Sequence, residues 1–330
     1  MSSHFVGIIG AGVVGSRVAE TLRFFSHSQI YICDREQVVA QRLVARLGDE
    51  KTKLTVVDRQ FLCSLKVVVL AGPSPHLAIA RELISAGVSV VSTSDDIAAC
   101  LNLLSLSKLA SAHNATLIVG AASSPGMSGL LVRQLAESFD TIDEAHIALH
   151  GTGGPECARQ HHRALSGQAI GWHEGEWLRR PAGSGRELCW FPEPVGAYDC
   201  YRGELPDPLL IKRAFPQLDR VSARVSATRR DRVFSRVPML IPPQAEGGMG
   251  GLRVEVRGMK NGARLVDVVG VAERVGQVTG VVAAVTADAI AGGELKAIGA
   301  HVLGEDSLPN SSLLTKTINS GVNLHAFVRA

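Results

Sequence analysis

The chain has 330 residues, 46% of them hydrophobic, which is enough to bury a full core and to divide into two domains. Its formal charge of +3 comes without any long Lys/Arg run, which speaks against nucleic acid as a partner. No window approaches a membrane span, and no basic segment with an apolar signal core precedes the first strand, so the expected location is cytoplasmic, away from any membrane. Six cysteines (Cys33, Cys63, Cys100, Cys157, Cys189 and Cys200) show neither C-x-x-C nor finger-like spacing, and are expected as reduced thiols with no disulfide and no structural metal.

An apolar strand from Phe5 to Ile9 runs into Gly10-Ala11-Gly12-Val13-Val14-Gly15, and a helix follows as far as Phe24. Gly10 suits a tight strand-to-helix turn, Gly12 lets the backbone approach a pyrophosphate, and Gly15 lets helix pack on sheet. Val13 and Val14 open the helix, whose N-terminus attracts phosphate charge. A second strand, Ile30 to Cys33, ends at Asp34, about 20 residues on, where a carboxylate accepts the ribose hydroxyls of a dinucleotide. That acid repels a 2′-phosphate and predicts NAD. Arg35, able to stack on adenine or to meet a 2′-phosphate, keeps NADP open as the alternative.

The helical pattern of Val38, Val39, Leu43 and Leu47 stops at Gly48, and a strand from Leu54 to Val57 follows. The strand Lys66 to Leu70 then turns at Ala71-Gly72-Pro73 into a helix, His76 to Ala86, ended by Gly87. Val88 to Val91 and Thr116 to Val119 are further apolar strands. Buried β-branched runs alternating with helices predict a Rossmann-type α/β unit, a doubly wound parallel sheet with ligands at the carboxyl ends of its strands. Those ends are Ala71, Gly72 and Pro73, then Thr93, Ser94 and Asp95, then Ser123 to Gly126; the first two groups are expected against the nicotinamide ribose and amide. His76 reads as a polar surface cap, with a proton donor as the alternative.

After Pro125 the period changes to two. Glu144 to Leu149, Val221 to Thr228 and Leu252 to Gly258 read as longer strands, and Asn261-Gly262 as a hairpin turn before Leu265 to Val271. This predicts a second α+β domain with an antiparallel sheet. Along the Val221 strand, Ser222, Arg224, Ser226 and Thr228 form a polar face. The segment Trp172 to Tyr201 holds Trp172, Trp177 and Trp190 and reads as hairpins with an active-site flap, at least two of the tryptophans being core. A helix from Val275 to Ile290 carries Gly280, Ala283, Ala284 and Ala287 and is expected to return to the first unit, with the tail from His301 to Ala330 beside it. The predicted division is a dinucleotide-binding domain, 1–125 completed by 275–330, and a substrate and oligomerisation domain, 126–274, with a homodimer through the antiparallel sheet.

Chemistry concentrates in Gly151 to Arg163, where glycines end a strand and Pro155 suits the first position of a helix. Arg159, His162 and Arg163 then share one face, which predicts Arg159 as the anchor for a substrate carboxylate and His162 as a proton donor; a solvated basic face is the plain alternative. His161 projects elsewhere. Adjacent histidines without supporting carboxylates do not make a metal site. Cys157, in the first turn with His161 four residues on, supports a second reading, an acylating aldehyde dehydrogenase with a thiolate nucleophile. A third reading is a non-catalytic dinucleotide-binding sensor. Asp199, Tyr201 and Arg202, and Arg229, Arg230, Asp231 and Arg232, are further candidates for substrate contacts.

The glycine turn with Y-I-C-D-R at Tyr31 to Arg35, A-G-P at Ala71 to Pro73, V-V-S-T-S-D at Val90 to Asp95, S-P-G-M-S at Ser124 to Ser128 and L-T-K-T-I-N-S-G-V at Leu314 to Val322 together resemble saccharopine dehydrogenase-like oxidoreductases. The resemblance covers most of the chain and is strongest in the cofactor half. It implies a dinucleotide-binding domain built from both ends of the chain with an inserted substrate domain. The implied activity is NAD(P)-dependent reduction of an imine formed from an amine and an oxo compound, or the reverse oxidation at a CH-NH donor, on a small anionic amino-acid-like substrate. The chain departs from the family in its lysines: the central region has only Lys212 and Lys260, neither in a family motif, so no lysine receives a catalytic role.

Overall fold

The computed structural model describes residues 4–25, 28–48, 54–243 and 245–327, and the outer ends of the expected segments Met1 to Phe5 and His301 to Ala330 lie outside them. The amino-terminal unit runs β1 (His4–Ile9), α1 (Val13–Leu22), β2 (Ser28–Cys33), α2 (Gln37–Leu47), β3 (Leu54–Val56), α3 (Arg59–Leu62), β4 (Val67–Leu70), α4 (Leu77–Ser85), β5 (Ser89–Ser92), α5 (Ile97–Leu104), α6 (Ser107–Ala112) and β6 (Thr116–Val119). Every residue of β4, β5 and β6 is buried, as strands covered by helices on both faces must be.

The chain continues through α7 (Met127–Ala136), β7 (Thr141–His150), α8 (Pro155–Ala164), β8 (Gln168–His173), β9 (Glu176–Pro181), β10 (Glu187–Trp190), β11 (Ala197–Arg202), α9 (Asp207–Ala214), β12 (Arg220–Ser226), α10 (Arg229–Phe234), β13 (Gly250–Lys260) and β14 (Ala263–Glu273). It ends with α11 (Val275–Ala291), β15 (Gly299–Val302), α12 (Asn310–Asn319) and β16 (Leu324–Ala326). The first sheet has strand order β15-β6-β5-β4-β1-β2-β3, and all its pairs are parallel. Helix α11 packs on α1 and on β1, β4 and β5. A Cβ on Gly280 would stand 2.3 Å from the Cβ of Arg17, so glycine is what lets the two helices touch. The buried valines of α11, Val278, Val281, Val282 and Val285, each contribute about 1.5–3 kcal/mol of apolar burial.

The second sheet has order β10-β11-β12-β7-β13-β14-β16, with β8 on β12 and β9 on β8. It is mixed rather than purely antiparallel, because β12 lies parallel to β7 while the other pairs are antiparallel. Strand β12 stops at Ser226, short of the expected Thr228, since the Thr228 hydroxyl accepts from the Asp231 amide and caps α10 in a reciprocal capping box. The last strand, β16, leaves the first unit and pairs with β14.

The tryptophans correct the expectation of two core residues. Trp177 is 43% and Trp190 58% exposed, and only Trp172 is half-buried. They sit on the hairpins β8–β9 and β10–β11, where Trp177 meets Trp172 edge-on at 5.0 Å between ring centres and Lys212 from α9 covers Trp172 at 4.4 Å.

Candidate functional site at the carboxyl edge of the parallel sheet

The turn between β1 and α1 has the geometry that a dinucleotide needs. Gly10 takes φ +102°, and a Cβ there would lie 2.7 Å from the Gly72 nitrogen, so the turn closes against the loop after β4. Gly12 faces open space at the N-terminus of α1: apart from its chain neighbours, no atom of the described residues lies within 4 Å of where a Cβ would stand. Asp34 braces the turn: Oδ2 accepts from the Ala11 amide at 2.7 Å and Oδ1 from the Glu36 amide at 2.9 Å. Each carboxylate oxygen retains an acceptor site, so two ribose hydroxyls can still be bound there. The residues therefore fit a dinucleotide, with an uncovered cradle for its phosphates and an acid for its ribose. Arg35 is exposed.

A cleft opens from this turn along the carboxyl ends of β5, β6, β7 and β12. Val14 of α1, Thr93 and Asp95 after β5, Ser123 and Ser124 after β6, and Val275 and Thr279 of α11 form one wall. His150 at the end of β7, Gly151 after it, Cys157, Gln160 and His161 of α8, and Val225 of β12 form the other. Asp95 is available because its neighbour is not: Asp96 caps α5 by accepting from the Ala99 amide at 2.8 Å. Burial, with the charges of Asp96 and Asp207 nearby, pushes the Asp95 carboxyl up to about 6.

The histidines of the opposite wall are held neutral. His161 Nε2 donates to the Ser226 carbonyl at 3.1 Å, His150 Nδ1 lies 2.9 Å from the Ser226 hydroxyl, and burial lowers both imidazoles below their ordinary range. The His150 ring stacks on Tyr198 at 3.9 Å. Burial pushes the Cys157 thiol up to about 12, against the backbone amides of Gly153 and Gly154 that point at its sulfur. Such a thiol carries no thiolate near neutral pH. Beneath the floor, Asp207 is fully buried; its Oδ1 accepts from Ser124 at 2.5 Å and Ser128 at 2.6 Å, and burial raises its carboxyl.

Two expectations are corrected here. Arg159 and His162 do not face the cleft: Arg159 pairs with Glu156, and His162 Nε2 donates to the Val237 carbonyl at 2.7 Å. The cleft-facing stripe of α8 is Cys157, Gln160, His161 and Ala164, spaced i, i+3, i+4 and i+7, because these uncharged side chains can be seated against the protein while Arg159 and Arg163 stay on the other faces. Among the described residues, no Arg or Lys lines the cleft. His76, read as a surface cap or donor, is instead a buried strut, with Nδ1 2.8 Å from Ser92 Oγ and Nε2 2.9 Å from the Gly72 carbonyl. Of the loop residues expected near a nicotinamide, Thr93 lines the cleft, Ser94 is buried beside Ser74 at 2.8 Å, and Ala71, Gly72 and Pro73 lie between the glycine turn and His76. Tyr201 is buried under Arg232 at 4.1 Å, and Asp199 pairs with Arg186. Among the described residues, no cluster of His, Cys, Asp and Glu could hold a metal ion, and no helix is long and apolar enough to cross a membrane.

The parallel sheet, the mixed sheet and the cleft between them make up a two-domain fold that solved dehydrogenase structures share. The apo saccharopine dehydrogenase (L-Glu forming) of Saccharomyces cerevisiae has this fold, with a TM-score of 0.73 at 15% identity over 99% of this chain and 100% of that one. DAP dehydrogenase of C. glutamicum, in complex with DAP, has a TM-score of 0.56 at 15% identity over 98% of this chain and 100% of that one. An engineered D-amino acid dehydrogenase bound to NADP+ gives 0.53 at 13% identity over 94% and 96%. The resemblance carried by the motifs is thus matched by the fold. No family model matches the sequence, and no curated protein matches it.

Proposed function

We propose that the chain is an NAD(P)-dependent oxidoreductase acting on a small amino-acid-like substrate, reducing an imine or carbonyl or running the reverse oxidation. The observation that carries this reading is that the glycine turn opens into the same cleft as Asp95, His150 and His161, with Val14 shared between them. NAD is the cofactor favoured by Asp34, held by Gly10, Gly12, Val13, Val14, Gly15 and Asp34, with Thr93 toward its nicotinamide; residues 1–125 completed by 275–330 form the binding unit, except that β16 joins the sheet of the substrate unit, 126–274. The nicotinamide supplies or accepts a hydride when bound.

Asp95 is the proton donor and acceptor for the substrate nitrogen or oxygen, since a carboxyl near 6 can both give and take a proton close to neutral pH. Neutral His161 and His150 orient the substrate through hydrogen bonds. With no arginine among the described lining residues, the cleft offers a substrate carboxylate the positive end of α8, which begins beside Gly153. The protonated Cys157 thiol weighs against an acyl-enzyme route. Structurally similar dehydrogenases named for amino acid substrates agree with an amino-acid-like substrate.

The test is to follow NADH and NADPH absorbance while screening amine and 2-oxo acid pairs, with calorimetry of both cofactors in parallel. Turnover lost on Asp95→Asn with cofactor binding kept is the expected result. Binding of neither cofactor by folded protein refutes the reading; binding without turnover on any pair leaves the sensor reading in its place.

A further inference from the structure

We propose that a second pocket, on the outer face of the mixed sheet, binds a compact polyanion, either a phosphate ester or a polycarboxylate. Strand β12 is paired along one edge by β8 at Arg220 and Val221, and then by β11 from Arg224 to Ser226. Ser222 and Ala223 between them have no strand partner on that edge, and the sheet opens into a pocket of about 300 Å³. Arg180 of β9, Arg202 of β11 and Arg220 and Arg224 of β12 line it, together with the Ser222 hydroxyl and His173. Among the described residues no carboxylate lines it, while Arg220, Ser222 and Arg224 also border a neighbouring cavity that Glu187 and Glu255 line.

Four guanidinium groups around one cavity repel one another, and the local acids do not cancel them. Glu187 pairs with Arg224 at 2.7 Å, while Arg180, Arg202 and Arg220 have no carboxylate within salt-bridge distance among the described residues. Glu144, whose charge reaches Arg220, is already engaged by His146, Arg257 and Arg264. Burial, with Arg224 and Arg180 beside it, holds the Arg202 guanidinium below its ordinary range. A bound anion of several charges relieves that repulsion, and arginine forks suit the paired oxygens of phosphate or carboxylate.

The volume is at the lower end of small-molecule sites, which favours a compact ligand over a nucleotide. The pocket is separate from the cleft. The two share no lining residue: on β12 the cleft takes Val225 and the pocket Arg220 to Arg224, and the neighbours Arg224 and Val225 point to opposite faces of the strand. The inference therefore stands independently of the dinucleotide reading.

Calorimetric titration and thermal unfolding with sodium pyrophosphate and with citrate, each against sodium chloride at matched ionic strength, test it. Binding and a raised unfolding midpoint are expected with at least one of the two. Tighter pyrophosphate assigns a phosphate ester and tighter citrate a polycarboxylate. The double change Arg202→Ala with Arg220→Ala is expected to weaken binding by at least about tenfold. Arg180→Ala, at an exposed position, serves if the double variant does not fold, and is expected to weaken binding in the same direction. Gly12→Val, which closes the glycine turn as the other place where pyrophosphate can bind, is expected to retain the binding that the arginine variants weaken. No effect beyond that of sodium chloride, unchanged affinity in the arginine variants, or loss of binding in Gly12→Val each overturns the proposal.

Discussion

Replacing Asp95 with asparagine separates the stability of this protein from its chemistry. A carboxyl moved from 3.8 to about 6 costs about 3 kcal/mol to ionise inside the fold. Because the folded-state value lies above the unfolded one, the protonated group's contribution is complete below about pH 4 and is lost as pH rises through about 6. Asparagine keeps the shape and has nothing to ionise. On raising the pH from about 4 to about 8, the wild-type protein is therefore expected to lose up to about 3 kcal/mol relative to Asp95→Asn. With a urea slope of about 3 kcal/mol per molar, that is a relative displacement of about 1 M in the unfolding midpoint. The assay is urea unfolding of both proteins without cofactor across that pH range. A difference that does not change with pH, or a wild type that gains on the variant as pH rises, refutes the reasoning. The same variant is expected to lose about 10²- to 10⁴-fold in kcat, so it becomes more stable at neutral pH and less active.

Asp34→Ala removes both the brace on the Ala11 amide and the ribose acceptor, and is expected to weaken NAD binding by about 10- to 100-fold, more than NADP, in calorimetric titration. His161→Ala is expected to lower kcat/KM at least about tenfold while His162→Ala stays near wild type, the reverse of what the shared face with Arg159 implies; equal behaviour of the two in steady-state assays would remove α8 from the site. Cys157→Ser is expected to keep turnover, since a protonated thiol is not the nucleophile, and near-complete loss would restore the acyl-enzyme reading. Gly280→Val drives a side chain into Arg17 of α1 and is expected to cost at least about 1–3 kcal/mol in urea unfolding.

Periodicity and glycine spacing made the parallel sheet legible, because a buried strand and a phosphate-binding turn leave local signatures that no other part of the chain can override. The second domain was less legible for a physical reason: β7 and β12 are distant in sequence, and nothing along either strand says whether they lie parallel or antiparallel. The cleft was half legible. Loop positions after β5 and β6 follow from topology, which points to Thr93 and Asp95. What periodicity could not give was which face of α8 turns inward. Charge drew attention to Arg159, His162 and Arg163, yet the same charge keeps that face in water, where Arg159 is paired with Glu156. Reading α8 by burial instead of by reactivity selects Cys157, Gln160, His161 and Ala164, a stripe with one histidine, and so places His161 inside. Asp95 carried a comparable signal in its doublet with Asp96. A helix start consumes one acid as its cap, and the acid left over, set at the end of a buried strand, is the one with nowhere to go but the cleft.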